Sequence, residues 1–493
     1  MTTSRQRSVW YNYMTAGVLG SGGFYFGYYI ACFNPMFEPI MYGVHKFDRV
    51  LDKPLMQTYN GLLNMLFALG AMVGVLGTGV IADKVGRRPI LYAGEVIALL
   101  CMLLYAPANI ACLMLARIVS GFVAGINSSI FSVMMAEMLP NSVCGFGNAF
   151  SYLNITLAIL LSYSTQNIFS YDTLVSDWRY FMLWPAVISI ARLALFPFFV
   201  RTDTPKFLFI TSKQDEEIAE PRIRNALGLV YVGDDIPAAV NDAISQYKKE
   251  LSQGQITLKM LMGPKFRKRL ISGCFVTFAQ QASGINFLIF YSNNLFSDFN
   301  ANVKLMTLIV GLNNFFGSIL VILLIGSMGR KFNLVVGPIM QGIAMFILYI
   351  GNEAQQLWIL VVAVCLYMIT FAIGLGGTLT AYVGEILPPL GVGVSFAVQW
   401  IMTALVGQFV PNLVSLLTAP KLVLLFGIAC IFLALGLDYL TIETKDKTEA
   451  AIAEEFEHRV YRFMDFSSKK STHNADELTP KRDGNQDPYT SIS

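Results

Sequence analysis

The sequence predicts an all-α membrane protein: about twelve transmembrane helices in two six-helix bundles, joined by a helical insert. Three observations carry this. The 493 residues are 55% hydrophobic and only 14% charged, against roughly 25% charged in an ordinary soluble protein, and the mean hydropathy is +0.56. Apolar stretches of about 18 residues or more recur along the chain, each long enough to cross a hydrocarbon core of about 30 Å. Short strings also return in the same order half a chain later. Ala136-Glu137-Met138-Leu139-Pro140 returns as Gly384-Glu385-Ile386-Leu387-Pro388, and Val85-Gly86-Arg87-Arg88 as Met328-Gly329-Arg330-Lys331. Asp203-Thr204-Pro205-Lys206 is echoed weakly by Glu443-Thr444-Lys445. The offsets are 248 (136 to 384), 243 (85 to 328) and 240 (203 to 443) residues. Three echoes in register imply a duplicated half. A parallel repeat of about six spans places a substrate site between two bundles.

The spans of the first half are expected near 13–34, 58–81, 89–107, 110–135, 145–165 and 180–200. Those of the second lie near 270–291, 304–327, 332–351, 357–384, 391–416 and 421–440. Arg5 and Arg7 precede the first apolar run, but that run is long enough to span, so no cleavable signal is read. The domains are therefore 1–200, an insert at 201–269, 270–440, and a tail at 441–493. The insert is polar with helical charge patterns. The tail opens as a charged helix, about 445–464, and turns disordered from about 467 as apolar content falls.

Lysine and arginine in the loops set orientation. Arg5, Arg7, Lys84, Arg87, Arg88, the insert with Lys265 to Arg269, and Arg330 and Lys331 all fall on one side of twelve spans. The opposite loops carry Asp172, Asp177, Asp298 and Glu353 with few cations, and Lys46–Lys53 is mixed. Both termini and the insert are expected to be cytosolic. The net charge of +3 is too mild for a nucleic-acid partner. The lipid bilayer is the expected partner. Seven cysteines, mostly inside apolar stretches and with no CxxC pair, read as small buried hydrophobes, so no metal or disulfide is expected.

Charge near or inside the bilayer marks candidate machinery. Arg117 lies within span 4, where a charge is costly and a partner is the default expectation. Glu137 and Glu385 end spans 4 and 10; Asp83, Arg87 and Arg88 flank the turn between spans 2 and 3. Cations and carboxylates at matching helix ends can pair across the two halves when that side is shut and part when it opens, which makes a gate. The alternative is that they only anchor the topology. A second cluster is polar and intramembrane: Gln280-Gln281-Ala282-Ser283-Gly284-Ile285-Asn286 in span 7, Asn313-Asn314 in span 8, and Gln399-Trp400 in span 11. Amides donate and accept, which suits a neutral hydroxyl-rich solute, and an indole suits the apolar face of a sugar ring. The alternative is interhelical hydrogen bonding, worth about 0.6 kcal/mol on average. Glycines such as Gly70 and Gly74 read as close helix packing.

These strings resemble the sugar porters of the major facilitator superfamily over about residues 10–450. Gly77 to Arg88 resembles the superfamily's loop signature, and Gln280 to Asn286 the family's QQxSGxN string, followed by Phe290-Tyr291 for its paired tyrosines. Arg117, the AEMLP string, Trp178-Arg179, Asp203-Thr204-Pro205-Lys206 and Glu443-Thr444-Lys445 follow in the family's order. Phe26-Gly27-Tyr28 and Asn34-Pro35 resemble span 1 of animal facilitative glucose transporters. The resemblance implies the major facilitator fold, a plasma-membrane location, a small-molecule sugar substrate and no cofactor or enzymatic activity. It implies sugar-hydroxyl ligands at Gln280, Gln281, Asn286 and Asn314, with Gln399 and Trp400 beside them. Gating is implied for Asp83, Arg87, Arg88, Arg117, Glu137, Lys206, Arg330, Lys331, Glu385 and Glu443. Departures from the pattern are Tyr152 for a span-5 Gln, Thr380 for a span-10 Trp, Gly377 and Leu379 for span-10 prolines, and Ala372 for an acid. Cys144 and Val392 replace gate arginines and Gly326 an acid, which implies a weak latch.

A passive hexose carrier, a proton-coupled sugar or polyol carrier, and a non-transporting sugar receptor all fit this pattern. Coupled relatives place an Asp after the span-1 Gly-Tyr, whereas Gly27-Tyr28 is followed here by Tyr29, with no acid between Tyr11 and Asn34. That favours the passive carrier. The tail of about 50 residues is short for a receptor. No Gly-rich phosphate loop ending in Gly-Lys-Ser/Thr is present, which argues against an ATP-driven pump.

Overall fold

The computed structural model describes residues 2–48, 51–107, 109–213, 215–231, 235–252, 257–290, 303–324 and 328–457. Tyr291, Asp298, Gly326 and the tail from 458, including the stretch expected to be disordered, lie outside the described residues. Ten helices among the described residues are long and apolar enough to cross a membrane. They fall on the expected spans 2–6 and 8–12: Lys53–Val85, Arg87–Tyr105, Ile110–Met138, Asn141–Ile168, Leu183–Phe199, Val303–Leu324, Arg330–Glu353, a helix beginning Leu357–Phe371 and ending Thr378–Ile386, Pro389–Leu417 and Ala419–Leu440.

Spans 1 and 7 are broken instead of continuous. Span 1 runs as Thr2–Gly20, Gly23–Ala31 and Phe33–Glu38. Span 7 runs as Pro264–Ala282 and resumes at residue 285. Gly284 makes that second break, with φ of +93°, where a side chain is strained and a Cβ would stand 2.9 Å from Phe426. Span 10 carries a π-helical turn at Ala372–Gly376, with no proline inside it. Helix starts follow ordinary capping rules. Asn109 Oδ1 accepts from Ala111 N at 2.8 Å to begin span 4, and Pro sits in the first turn of spans 2, 7, 11 and 12.

Packing bears out the glycine reading. A Cβ on Gly70 of span 2 would strike the Ile118 carbonyl, and one on Gly121 of span 4 the Phe67 carbonyl. The two backbones therefore touch directly, as small residues permit in a membrane. Spans of different halves meet along two seams, span 2 with span 11 and span 5 with span 8. The insert helices Pro205–Thr211, Glu216–Leu227 and Asp235–Ser252 close on their own small core of Phe209, Ile223 and Val240. Asn12 donates to Val230 O at 3.0 Å, which ties the chain's first helix to the insert. This end of the bundle is the insert face.

The tail helix is Glu449–Glu457, starting later than 445. Asp446 lies at φ +58° and the Thr448 hydroxyl caps Ala451 N at 3.3 Å, so the turn delays the helix. The helix packs on spans 7 and 10 with Ile452 and Phe456 buried. Lys268 Nζ donates to Glu457 O at 3.1 Å. Burial pulls the Arg269 guanidinium below its ordinary pKa, while Glu449 and Glu457 push it back up.

Candidate functional site

Span 7 breaks within its amide string, and the amides turn toward spans 10 and 11. Gln280 Nε2 donates to Leu375 O in the span-10 π-turn at 3.1 Å. Its Oε1 accepts from Gln281 Nε2 at 3.1 Å and from Gln399 Nε2 at 2.7 Å. Asn286 Nδ2 donates to Gln281 Oε1, and to Thr403 Oγ1 at 3.4 Å. All of these side chains are buried. Gln399 Oε1 in this network and Asn314 Oδ1 of span 8 have no hydrogen-bond partner among the described residues. The Tyr152 hydroxyl is likewise unpartnered. It fills the space that a side chain on Gly376 of span 10 would need. Unpaired buried polar atoms cost about 1–3 kcal/mol each, so these acceptors are candidates to meet a hydroxylated ligand.

Trp400 is close-packed. It meets Phe26 of span 1 edge-on at 5.0 Å and Phe67 of span 2 at 6.0 Å. The indole thus bridges the halves. Thr403, one turn on, is the span-11 member that the sequence reading missed.

The charged candidates form two matching clusters at the insert face. Arg87 Nη2 pairs with Asp83 at 2.7 Å and Glu137 at 3.0 Å. Arg330 Nη2 pairs with Glu385 at 3.1 Å. Asp203 accepts from the backbone N–H of Arg87 and Arg88 at 3.1 and 3.2 Å. Glu443 accepts from those of Arg330 and Lys331 at 2.8 and 3.2 Å. The weakest sequence echo thus has a structural meaning: each acid caps the first turn of span 3 or span 9. The Arg88 guanidinium lies over Tyr92 at 5.4 Å. Lys331 Nζ pairs with Asp438 of span 12 at 3.0 Å.

Pairing across the halves is expected only with this side shut, and this structure holds the pairs within each half. Glu137 and Glu385 take their partners from their own halves, because Arg87 and Arg330 begin the helix beside each carboxylate. Glu137 Oε2 and Glu385 Oε2 remain buried and unpartnered among the described residues. Arg117 also stands apart from its expected gating companions. It sits 20 residues, about 30 Å of helix, from Glu137. It donates to Leu63 O and Asn64 Oδ1 at 3.1 and 3.2 Å and to Tyr29 O. Its guanidinium lies over Phe33 and Phe67 at 5.1 and 4.7 Å.

The two faces differ where the halves meet. Opposite the insert, Asn34 Nδ2 and the Tyr163 hydroxyl both donate to Ile289 O, at 3.1 and 2.9 Å. Asn167 Nδ2 donates to Lys304 O at 3.2 Å. Toward the insert face, Ser132 and Ala136 of span 4 are exposed, as are Thr380 and Gly384 at the same positions of span 10. A Cβ on Gly145, Gly384 or Gly393 would meet open space.

One cluster escaped the sequence reading. Glu95 of span 3 is fully buried and pairs with Arg192 of span 6 at 2.8 Å. The Tyr25 hydroxyl of span 1 donates to its other oxygen. Each is the one charge in its apolar span, the same signal that singled out Arg117.

A two-fold repeated helical bundle, with broken spans facing a central amide cluster, defines a membrane transporter, not an enzyme. The chain belongs to the sugar (and other) transporter family, whose model matches residues 15–456. It is a multi-pass membrane protein of that family. Hexose transporter 1 of Toxoplasma gondii is 28% identical over 70% of this chain and 64% of that protein. The glucose transporter GlcP of Staphylococcus epidermidis is 27% identical over 90% of this chain and 97% of its own. The fold matches the proton:xylose symporter XylE bound to 6-bromo-6-deoxy-D-glucose, with a TM-score of 0.75 and 21% identity. That match covers 90% of this chain and 99% of that one.

Proposed function

We propose that this chain carries a neutral hexose passively, by alternating access around the span-7 amides. Residues 1–200 and 270–440 act as the two moving bundles, 201–269 as a cytosolic linker and 441–493 as a cytosolic tail, in the plasma membrane. The observation that carries the reading is the buried Gln280–Gln281–Asn286–Gln399 network with its unpartnered acceptor Gln399 Oε1, together with the unpartnered buried Asn314 Oδ1 of span 8. Sugar hydroxyls donate to such acceptors and accept from the same amides. The relatives named for hexose and glucose support the substrate class. Glu137 and Glu385, with Arg87, Arg88, Lys206, Arg330 and Lys331, are the latch of the insert face. Asp83, Asp203 and Glu443 hold the latch arginines in place.

A second reading, proton-coupled transport, is favoured by Glu95. Span 1 lacks an acid between Tyr11 and Asn34, yet Tyr25 of span 1 bonds this intramembrane carboxylate, which also faces Arg192 of span 6. The test is counterflow in proteoliposomes with a panel of labelled sugars, with and without a pH gradient. Passive transport gives exchange without accumulation. Accumulation above equilibrium that a protonophore abolishes, and that Glu95→Gln loses while keeping exchange, replaces it with the coupled reading. No counterflow with any sugar overturns both.

A further inference from the structure

We propose that Arg192 and Glu95 are positioning residues for transport: a buried clamp that holds span 1 broken and so sets the gate on the face opposite the insert. This rests on the sugar-transporter family alone and not on whether transport is passive. Between Gly20 and Gly23 the regular ladder of span 1 tightens to i→i−3 bonds, Gly22 N to Leu19 O and Phe24 N to Ser21 O, both at 3.1 Å. Arg192 of span 6 braces this turn from the side. Its Nη1 donates to Ser21 Oγ at 3.0 Å and to Leu19 O at 3.5 Å. Its Nη2 donates to Asn127 Oδ1 of span 4 at 2.8 Å. Its Nε pairs with Glu95 of span 3 at 2.8 Å. Glu95 in turn accepts from the Tyr25 hydroxyl, just past the break, and that oxygen lies 2.7 Å from Ser189 Oγ. One planar fork thus holds spans 1, 3, 4 and 6 at one point, a task a lysine's single ammonium cannot copy.

The fork also explains the residue at the break. A Cβ on Gly22 would stand 2.8 Å from Arg192 Nη1 and 2.9 Å from Asn127 Oδ1. Gly22 has φ of −61°, which any residue adopts. The glycine is needed for the approach of the guanidinium and not for its backbone shape.

Beyond the clamp, the outer part of span 1 makes contacts with the other half. Phe26 meets Trp400 at 5.0 Å, and Asn34 donates to Ile289 O at 3.1 Å. Tyr29 O holds Arg117. The angle at which span 1 leaves the break decides whether these contacts are made. The clamp fixes that angle from two helices that face away from the seam.

The test places a cysteine at Ile289, a gate residue that is buried, and follows its labelling by a membrane-impermeant maleimide from the face opposite the insert. Removing one partner leaves a buried unpaired charge, and such single variants can fail to fold. The working variants are therefore the neutral pair Glu95→Leu/Arg192→Leu, the steric probe Gly22→Ala, and Arg192→Lys. In variants that reach the membrane, labelling should rise about tenfold. Maximal exchange rate should fall about tenfold while the sugar KM stays within about threefold, because the span-7 amides are untouched. Arg192→Lys should fall between parent and double variant. If the folded double variant and Gly22→Ala both label and turn over as the parent does, the pair is no clamp. If KM rises in step with the loss of rate, the pair shapes the sugar site and the proposal is likewise overturned. If the double variant does not fold, Gly22→Ala and Arg192→Lys decide by the same two readings.

Discussion

Asn313 and Asn314 are neighbours that face different ways. Asn313 Nδ2 donates to Cys365 O of span 10 at 2.7 Å and holds two helices together. Asn314 Oδ1 stays buried without a partner among the described residues. Asn314→Ala should therefore weaken sugar binding by roughly 5- to 150-fold, the equivalent of about 1–3 kcal/mol for one lost bond to a buried polar partner. Asn313→Ala should leave the sugar Kd within about threefold and lower thermal stability instead. Equilibrium binding of a labelled hexose to the purified variants separates the two. Equal affinities for both variants and the parent would remove span 8 from the site. Gln281→Ala belongs with Asn314→Ala, since its Oε1 orders Asn286. The amide string was legible because seven consecutive residues carry it. Which face each amide takes was not, because helix rotation is set by packing partners far away in the chain. Thr403 was invisible for the same reason: nothing local distinguishes it from other membrane threonines.

Two helix starts share one device. Asp203 lies 116 residues from Arg87, and Glu443 lies 113 from Arg330, yet each carboxylate caps the backbone of those arginines. A capping acid at a helix N-terminus is worth about 0.5–2 kcal/mol, and its charge also suits the positive end of the helix dipole. Asp203→Ala should therefore lower the unfolding free energy by about 1 kcal/mol in detergent. Asp203→Asn, which keeps an acceptor oxygen, should recover part of that. Identical melting of both variants and the parent would show that the cap is not needed. Packing makes a sharper case at Gly121, where a side chain would strike the Phe67 carbonyl. Gly121→Val should separate spans 2 and 4 and abolish a monodisperse elution profile, and a normal profile would contradict the close packing. The ten unbroken spans were legible because length and apolarity suffice for them. The breaks were not. Gly22 and Gly284 resemble the many packing glycines, and their role depends on Arg192 and Phe426, which meet them only in the folded bundle.

The whole molecule is asymmetric about its midplane. Hydrogen bonds join the halves opposite the insert, through Asn34, Tyr163 and Ile289 O. At the insert face, Gly145, Gly384 and Gly393 border open space. The carboxylates beside that space are half engaged, since Glu137 and Glu385 each bond an arginine of their own half and keep Oε2 unpartnered. Cys144 and Val392 start the helices that would swing toward them. An arginine at 392 therefore has an acceptor waiting when the insert face closes. A partly exposed bridge is worth about 0.2–1 kcal/mol, which shifts the balance of the two states about 1.4- to 5-fold. A cysteine at Gly384 reports that face. Val392→Arg should slow its thiol labelling by that factor. Glu137→Gln in the same background should restore the parent rate, because an amide lacks the charge that the arginine needs. Glu385→Gln alone should speed labelling, since it frees Arg330 and loosens the cluster that remains. Sugar affinity should not change in any of the three, as the amides lie deeper in the bundle. Labelling indifferent to all of them would make these carboxylates anchors of topology and leave the opposite face as the only gate.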